Sequence, residues 1–300
     1  LLIVATDTSG NEVEEKIKIN IITKKASPDV IERLDPTNIK QKNHPNRVAL
    51  IIGIEKYSNA PKASYANRDA KNFYEYAKRG FGISENNIKL LVDEDATKNN
   101  IDKALLLWLP SRIKPNVTEL IVFYSGHGLA TPDGKELYLL AHESETAFKL
   151  LPRSALLRTE IFDEINNLKP KSVTMFFDTC FSGISRDNET LLADAKPINI
   201  LASDTTKVPK NFVVFSSSLG NQISSGFKEA KSGLFSYYLM KGLEGKADSN
   251  NDRKITNGEL EEYLNSNISK KASEIGRSQN SQLVGHPNDN YIKKVLMVYK

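Results

Sequence analysis

Residues 173–183 read VTMFFDTCFSG. Five mostly apolar residues, Val173 to Phe177, spell a buried strand, and Asp178, Cys180 and Gly183 follow where that strand should end. Cys180 is the only cysteine in 300 residues. A cysteine kept as a small hydrophobe would sit inside the apolar run. One placed just past it lies at a strand's carboxyl end, where open α/β sheets build their sites.

Outward from this stretch the same grammar repeats. RVALIIGI (47–54), NIKLLVDE (87–94), TELIVFYSGHG (118–128) and NFVVFSSS (211–218) are further apolar strands. Between them ANRDAKNFYEYAKR (66–79), a helix capped by Thr97 and running to about Leu107, Thr159 to Leu168, and Ser232 to Leu243 read as helices. KELYLLA (135–141) reads as a short hairpin arm. Near-continuous apolar strands alternating with helices predict an α/β fold: a mostly parallel, about six-stranded sheet covered on both faces.

Ahead of this domain, residues 1–25 alternate apolar and polar positions around a Ser-Gly-Asn turn and predict a β-hairpin. It is either the last hairpin of an immunoglobulin-like domain or an extra hairpin on the main domain. Residues 26–46 carry Pro28, Pro36 and Pro45 and read as a linker, with the main domain over 47–300. Residues 184–210 form a long, polar, processing-type loop.

Composition excludes little. At 39% hydrophobic the chain can bury one good core, and 41 Lys+Arg against 37 Asp+Glu argues for neither nucleic acid nor an anionic membrane. No apolar run approaches the roughly 18–20 residues that span a bilayer. A single cysteine forbids an internal disulfide, which fits the cytosol, while the N-terminal hairpin tips the expectation toward periplasm, cell surface or secretion. Leu1 is not a methionine, so the chain reads as a piece of something longer.

Two strands end in reactive residues, one in Ser125-Gly126-His127-Gly128 and one in Asp178-Thr179-Cys180. Parallel strands with those endings bring His127 and Cys180 to one edge. An imidazole beside a thiol is the usual way to make a sulfur nucleophile near neutral pH. Neighbouring glycines let backbone approach a substrate and leave N–H groups free for an oxyanion.

YSGHG with DTCFSG resembles the caspase-like cysteine peptidases, closest to their metacaspase and bacterial orthocaspase branch. The resemblance runs from about Arg47 to Tyr299 and takes in Gly53, Tyr57, FSSSLGNQISSGF and SGLFSYYLMKGL. Thr179 and Phe181 depart from the family's usual Asp-Ser-Cys-His-Ser-Gly, and neither change removes a catalytic group. The resemblance implies a three-layer sandwich and hydrolysis of peptide bonds. It makes Cys180 the nucleophile and His127 the general acid/base, with the backbone N–H groups of Gly128 and Cys180 as oxyanion donors. Animal caspases hold aspartate with two arginines, whose places here fall near Ala63 and Gly226, so cleavage after aspartate is not expected. The metacaspase branch binds Arg or Lys with acidic residues, matched here by Asp69, Ser125 and Asp178. Asp69 alone also reads as a first-turn aspartate balancing a helix dipole. Arg186, Lys196, Lys207 and Lys210 are then candidate self-cleavage sites. The expected partner is a protein or peptide with Arg or Lys before the scissile bond, and the family's habit favours a monomer.

A second motif, DSNNDRKITNGE (248–259), has the spacing of an EF-hand calcium loop. Its ligands would be Asp248, Asn250, Asp252, the Lys254 carbonyl and Glu259, between two predicted helices. Arg253 stands where the sharp turn wants glycine, at a strain of about 1 kcal/mol. Ca2+ is thus the one cofactor expected, and no organic cofactor. Other classes left open are a catalytically silent scaffold of the same fold and a calcium-responsive interaction module.

Overall fold

The computed structural model describes residues 2–6, 8–16, 31–39, 43–187, 189–191, 208–218 and 222–298. The chain divides into two compact units, 1–32 and 33–300. In the first, Leu2–Thr6 and Glu12–Lys16 pair as an antiparallel hairpin. Residues 17–25 of the expected hairpin lie outside the described residues.

The second unit is built on six strands: β1 (Arg47–Gly53), β2 (Ile88–Val92), β3 (Glu119–Ser125), β4 (Ser172–Asp178), β5 (Phe212–Ser216) and β6 (Gln282–Gly285). Their order is β6-β5-β4-β3-β1-β2. The first five are parallel, and only β6 runs antiparallel, against β5. Four helices matter for the site: α1 (Ala66–Arg79), α2 (Arg158–Asn167), α3 (Leu234–Lys241) and α4 (Asn257–Glu274).

Strand residues alternate between two buried faces, which is why the strands read as continuous apolar runs. On one face Leu50, Val122, Met175 and Val214 pack with Ile101 and Leu105 of a helical run over 98–112 and with Phe162 and Ile165 of α2. On the other, Phe73 of α1 stacks at 4.4 Å on Phe123 and lies 5.7 Å from Phe176. The result is helix, sheet, helix.

Local departures from the expected elements have causes. Thr97 caps its helix by accepting the Asn100 N–H, yet the helix continues to Arg112 through a widened turn at Ala104–Trp108. Pro110 follows directly on this widened turn and does not stop the helix. The helix expected from Ser232 begins only at Leu234, because Ser232–Gly233 pair with Gly226–Phe227. Leu137–Leu140 sits in a small sheet between Gly128–Ala130 and Ala155–Leu157. No helix among the described residues is long and apolar enough to cross a membrane.

Candidate functional site

The register of the sheet assembles the site. Gly53, Ser125 and Asp178 are direct neighbours across β1, β3 and β4, so three strand ends form one row. His127 and Cys180 lie just beyond two of them. The glycines around His127 serve packing as well as approach. A Cβ on Gly126 would lie 2.5 Å from the Tyr57 hydroxyl, and one on Gly128 would lie 2.7 Å from the Phe181 ring. Phe181, the residue that departs from the family's usual histidine, thus lies against the histidine loop, with the buried Arg158 guanidinium 5.7 Å from its ring.

His127 is held on every side. Its N–H donates to the Tyr57 hydroxyl at 2.7 Å, its carbonyl accepts from the Tyr124 hydroxyl at 2.7 Å, and its ring stacks on Tyr57 at 4.8 Å. Nε2 meets the Pro61 carbonyl at 2.9 Å. A carbonyl only accepts, so Nε2 carries the proton and Nδ1 is left as the basic nitrogen. The Cys180 thiol donates to the Ile184 carbonyl at 3.1 Å. Burial lowers the His127 pKa to about 4 and raises that of Cys180, so at neutral pH both groups are uncharged. In this conformation each reactive group is hydrogen-bonded to a backbone carbonyl, a resting arrangement.

Beside them lies an acidic pocket. Asp178 accepts from Ser224 Oγ at 2.6 Å and from the Ser236 hydroxyl and N–H. Asp69, in the first turn of α1, accepts from the Ser232 hydroxyl and from the Gly233 N–H at 2.8 Å. Burial pushes the Asp69 carboxyl up to about 7, and the nearby Arg186 charge pulls it back down. Asp69, Asp178 and Ser125 are all fully buried. A first-turn aspartate that merely balances a dipole would face water; this one faces Asp178.

The pocket is full. Arg186, expected in a solvated loop as a self-cleavage site, is 3% exposed. Its Nη2 lies 2.9 Å from Asp178 Oδ1 and donates to the Asp178 carbonyl at 2.9 Å and to Ser125 Oγ at 3.1 Å. Its Nη1 donates to the Ser64 carbonyl at 3.1 Å and lies 3.5 Å from Asp69 Oδ2. Two carboxylates facing each other without a cation would repel, which is the physical reason a guanidinium is drawn in rather than left in water. Lys196 and Lys207 lie outside the described residues; Lys210 sits in the turn before β5.

Sequence reasoning missed the floor of this pocket. A Cβ on Gly233 would lie 2.2 Å from Asp178 Oδ2 and 2.9 Å from Arg186 Nη1, so only glycine leaves room for the guanidinium. Ser224, Ser232 and Ser236 orient the carboxylates, and the only sequence signal was the run of small residues around them.

The acidic loop at 248–259 is organised differently. Asp248 accepts the N–H groups of Asp252 and Arg253, Asn250 that of Asp252, and Asp252 that of Lys254. Arg253 adopts φ +64°, the left-handed turn expected at that position. Glu259 Oε2, however, closes a capping box on α4 with Thr256. Among the described residues no group of three His, Cys, Asp or Glu side chains converges to hold a metal ion.

Residues 46–291 match the family described as caspase domain. Metacaspase-1A of Aspergillus terreus is 31% identical over 156 residues, covering 47% of this chain and 37% of that protein. Metacaspase-1 of Eremothecium gossypii is 30% identical over 159 residues, covering 47% and 33%. The chain therefore spans only 37% and 33% of the length of these two relatives. Caspase-1 of Spodoptera frugiperda superposes with a TM-score of 0.56 at 14% identity, over 90% of this chain and 96% of that one. A Geobacter sulfurreducens protein does so with 0.58 at 15%, over 85% and 100%. At such identities the structural likeness speaks for the fold alone.

Proposed function

The chain belongs to the caspase-domain family of cysteine peptidases, and on that footing we propose that it is an endopeptidase cutting after Arg or Lys through Cys180 and His127. One observation carries the specificity: a guanidinium, that of Arg186, sits between Asp178, Asp69 and Ser125. A planar cation with a fork of donors suits two carboxylates and two carbonyls. A substrate aspartate would meet only negative charge there.

In the reaction, His127 Nδ1 takes the thiol proton while the Pro61 carbonyl keeps Nε2 protonated and the ring oriented. The Cys180 sulfur attacks the carbonyl carbon of the residue whose side chain fills the pocket. The N–H groups of Gly128 and Cys180 receive the oxyanion. As the C–N bond breaks, His127 returns its proton to the departing amine, and water then hydrolyses the thioester. The deep burial that keeps both groups neutral is relieved when the site opens to water and substrate, bringing their pKa values toward each other.

The test is hydrolysis of two fluorogenic peptides differing only in Arg or Asp before the scissile bond, by wild type and Cys180→Ala. Cleavage after Arg that Cys180→Ala abolishes is the expected result. Cleavage after Asp would sink the pocket assignment, and equal cleavage by the mutant would sink the nucleophile.

A further inference from the structure

We infer that Arg186 is a built-in, non-productive plug: the loop behind the nucleophile seats its own arginine in the acidic pocket, and substrate enters only when that side chain leaves. The inference rests on the peptidase reading above and concerns how that same site is regulated.

Three features separate this from a stray contact. The first is completeness. The Arg186 guanidinium meets two carboxylates, one hydroxyl and two backbone carbonyls, and even a Cβ on Gly233 beneath it would lie 2.9 Å from its Nη1. An incoming arginine must displace it.

The second is the construction of the loop that delivers it. Ser182 bridges Leu129, and the Ala130 N–H donates to the Phe181 carbonyl at 3.3 Å, which staples the start of the loop to the histidine side of the site. Ile184 bridges Thr190, and the Leu191 N–H donates to the Gly183 carbonyl. Ser185 Oγ accepts from the Asp187 and Glu189 N–H groups, closing the turn around Arg186. Ser64 Oγ donates to Asp187 at 2.6 Å and anchors the far side. Gly183, at φ +75°, supplies the left-handed step that reverses the chain after Cys180. The segment is a built hairpin rather than a passive linker.

The third is register. A substrate with arginine in the pocket must present that arginine's own carbonyl to sulfur. Here the carbonyl beside Sγ belongs to Ile184. The Arg186 carbonyl is held instead by Arg277 Nη1 at 2.9 Å. The pocket-filling residue and the residue at the nucleophile are thus two positions out of step, so the arginine occupies the pocket without offering its bond for cleavage. This separates a plug from a self-cleavage site, which was the reading of Arg186 from sequence.

The experiment has a catalytic and a binding arm. In the first, kcat/KM for the Arg peptide is measured for wild type, Arg186→Ala and Arg277→Ala. Arg186→Ala should raise it at least ten-fold. Arg277→Ala, which frees the loop but leaves the pocket charges paired, should raise it less and keep a thermal midpoint close to wild type. If Arg186→Ala fails to fold because its carboxylates are unpaired, Arg277→Ala decides. In the second arm, Nα-acetyl-arginine methylamide is titrated into Cys180→Ala and into Cys180→Ala/Arg186→Ala. At least ten-fold tighter binding by the double variant supports the plug whether or not any variant cleaves peptide. Should none cleave while binding is gained, the peptidase reading falls and the plug stands. Where the wild type cleaves the Arg peptide, an unchanged rate in the folded variants overturns the plug and leaves the peptidase reading untouched; unchanged affinity overturns the plug in either case. So does wild-type chain found cut between Arg186 and Asp187 with Cys180→Ala chain intact.

Discussion

Two acidic clusters among the described residues differ in how their carboxylates are satisfied. Asp248 and Asp252 stand four positions apart in a loop whose spacing announces a cation site, yet their carboxylates turn to local N–H groups and Glu259 caps a helix. Asp69 and Asp178 come from different elements, a helix and a strand end, and they converge on one guanidinium. Asp69 is tied by Gly233, 164 positions away, and Asp178 by Ser224, 46 away. Short-range carboxylates can satisfy themselves within their own turn. Buried, distant ones cannot, and must find a cation or take up protons.

The strongest way to break this comparison is Asp178→Asn. Removing one partner of a buried charge pair costs about 3–5 kcal/mol, or on the order of a hundred- to several-thousand-fold in kcat/KM for Arg over Gln peptides. A ratio left within a few-fold would mean the pocket does not recognise charge through Asp178. Asp69→Asn should have a smaller effect, about ten-fold, with a pH signature. Burial holds Asp69 at about 7, so the wild-type Arg/Gln ratio should fall as pH drops from 8 to 6 and Asp69 takes a proton. The variant's ratio should stay flat across that range, and a profile parallel to wild type would remove Asp69 from recognition. The sign for stability is the reverse. A carboxyl raised above its ordinary value stabilises the fold fully below about pH 4 and loses that contribution as pH rises through 7. Asp69→Asn should therefore gain stability relative to wild type at pH 8, read as the difference in thermal midpoint.

The smallest effect belongs to the other cluster. Glu259→Ala removes the acceptor that closes the capping box of α4 and should cost about 1 kcal/mol, or roughly 2–4 °C in thermal midpoint. Measured in calcium and in chelator, the same variant tests the calcium reading: a wild-type midpoint that rises with calcium, and stops rising in the variant, means that the loop gathers its ligands around an ion, and equal midpoints in both mean that it does not.

The strand ends were legible because parallel, two-faced strands must be continuously apolar and their carboxyl ends must carry whatever is reactive. Hence Cys180, His127 and the row through Ser125 and Asp178 could be named from sequence, and Asp69 through the resemblance. Tyr57 was visible as a residue, but its hydroxyl's bond to the His127 N–H was not. Gly233 was unreadable, since nothing local to it demands glycine and its missing side chain matters only to atoms arriving from β4, α1 and the loop at Arg186.

The sequence by itself determined what is periodic or local. That covers the alternation of strands and helices, the hairpin at the start, the cap at Thr97, the turns of the 248–259 loop, and the placing of one cysteine and one histidine past two strands. Only the tertiary structure decided which carboxylates share a cation, that Pro61 orients the imidazole, and that Arg186 lies in the pocket with its carbonyl turned to Arg277. Periodicity is written in neighbouring residues, whereas the electrostatics of a buried site are set by charges that become neighbours only once water is excluded between them.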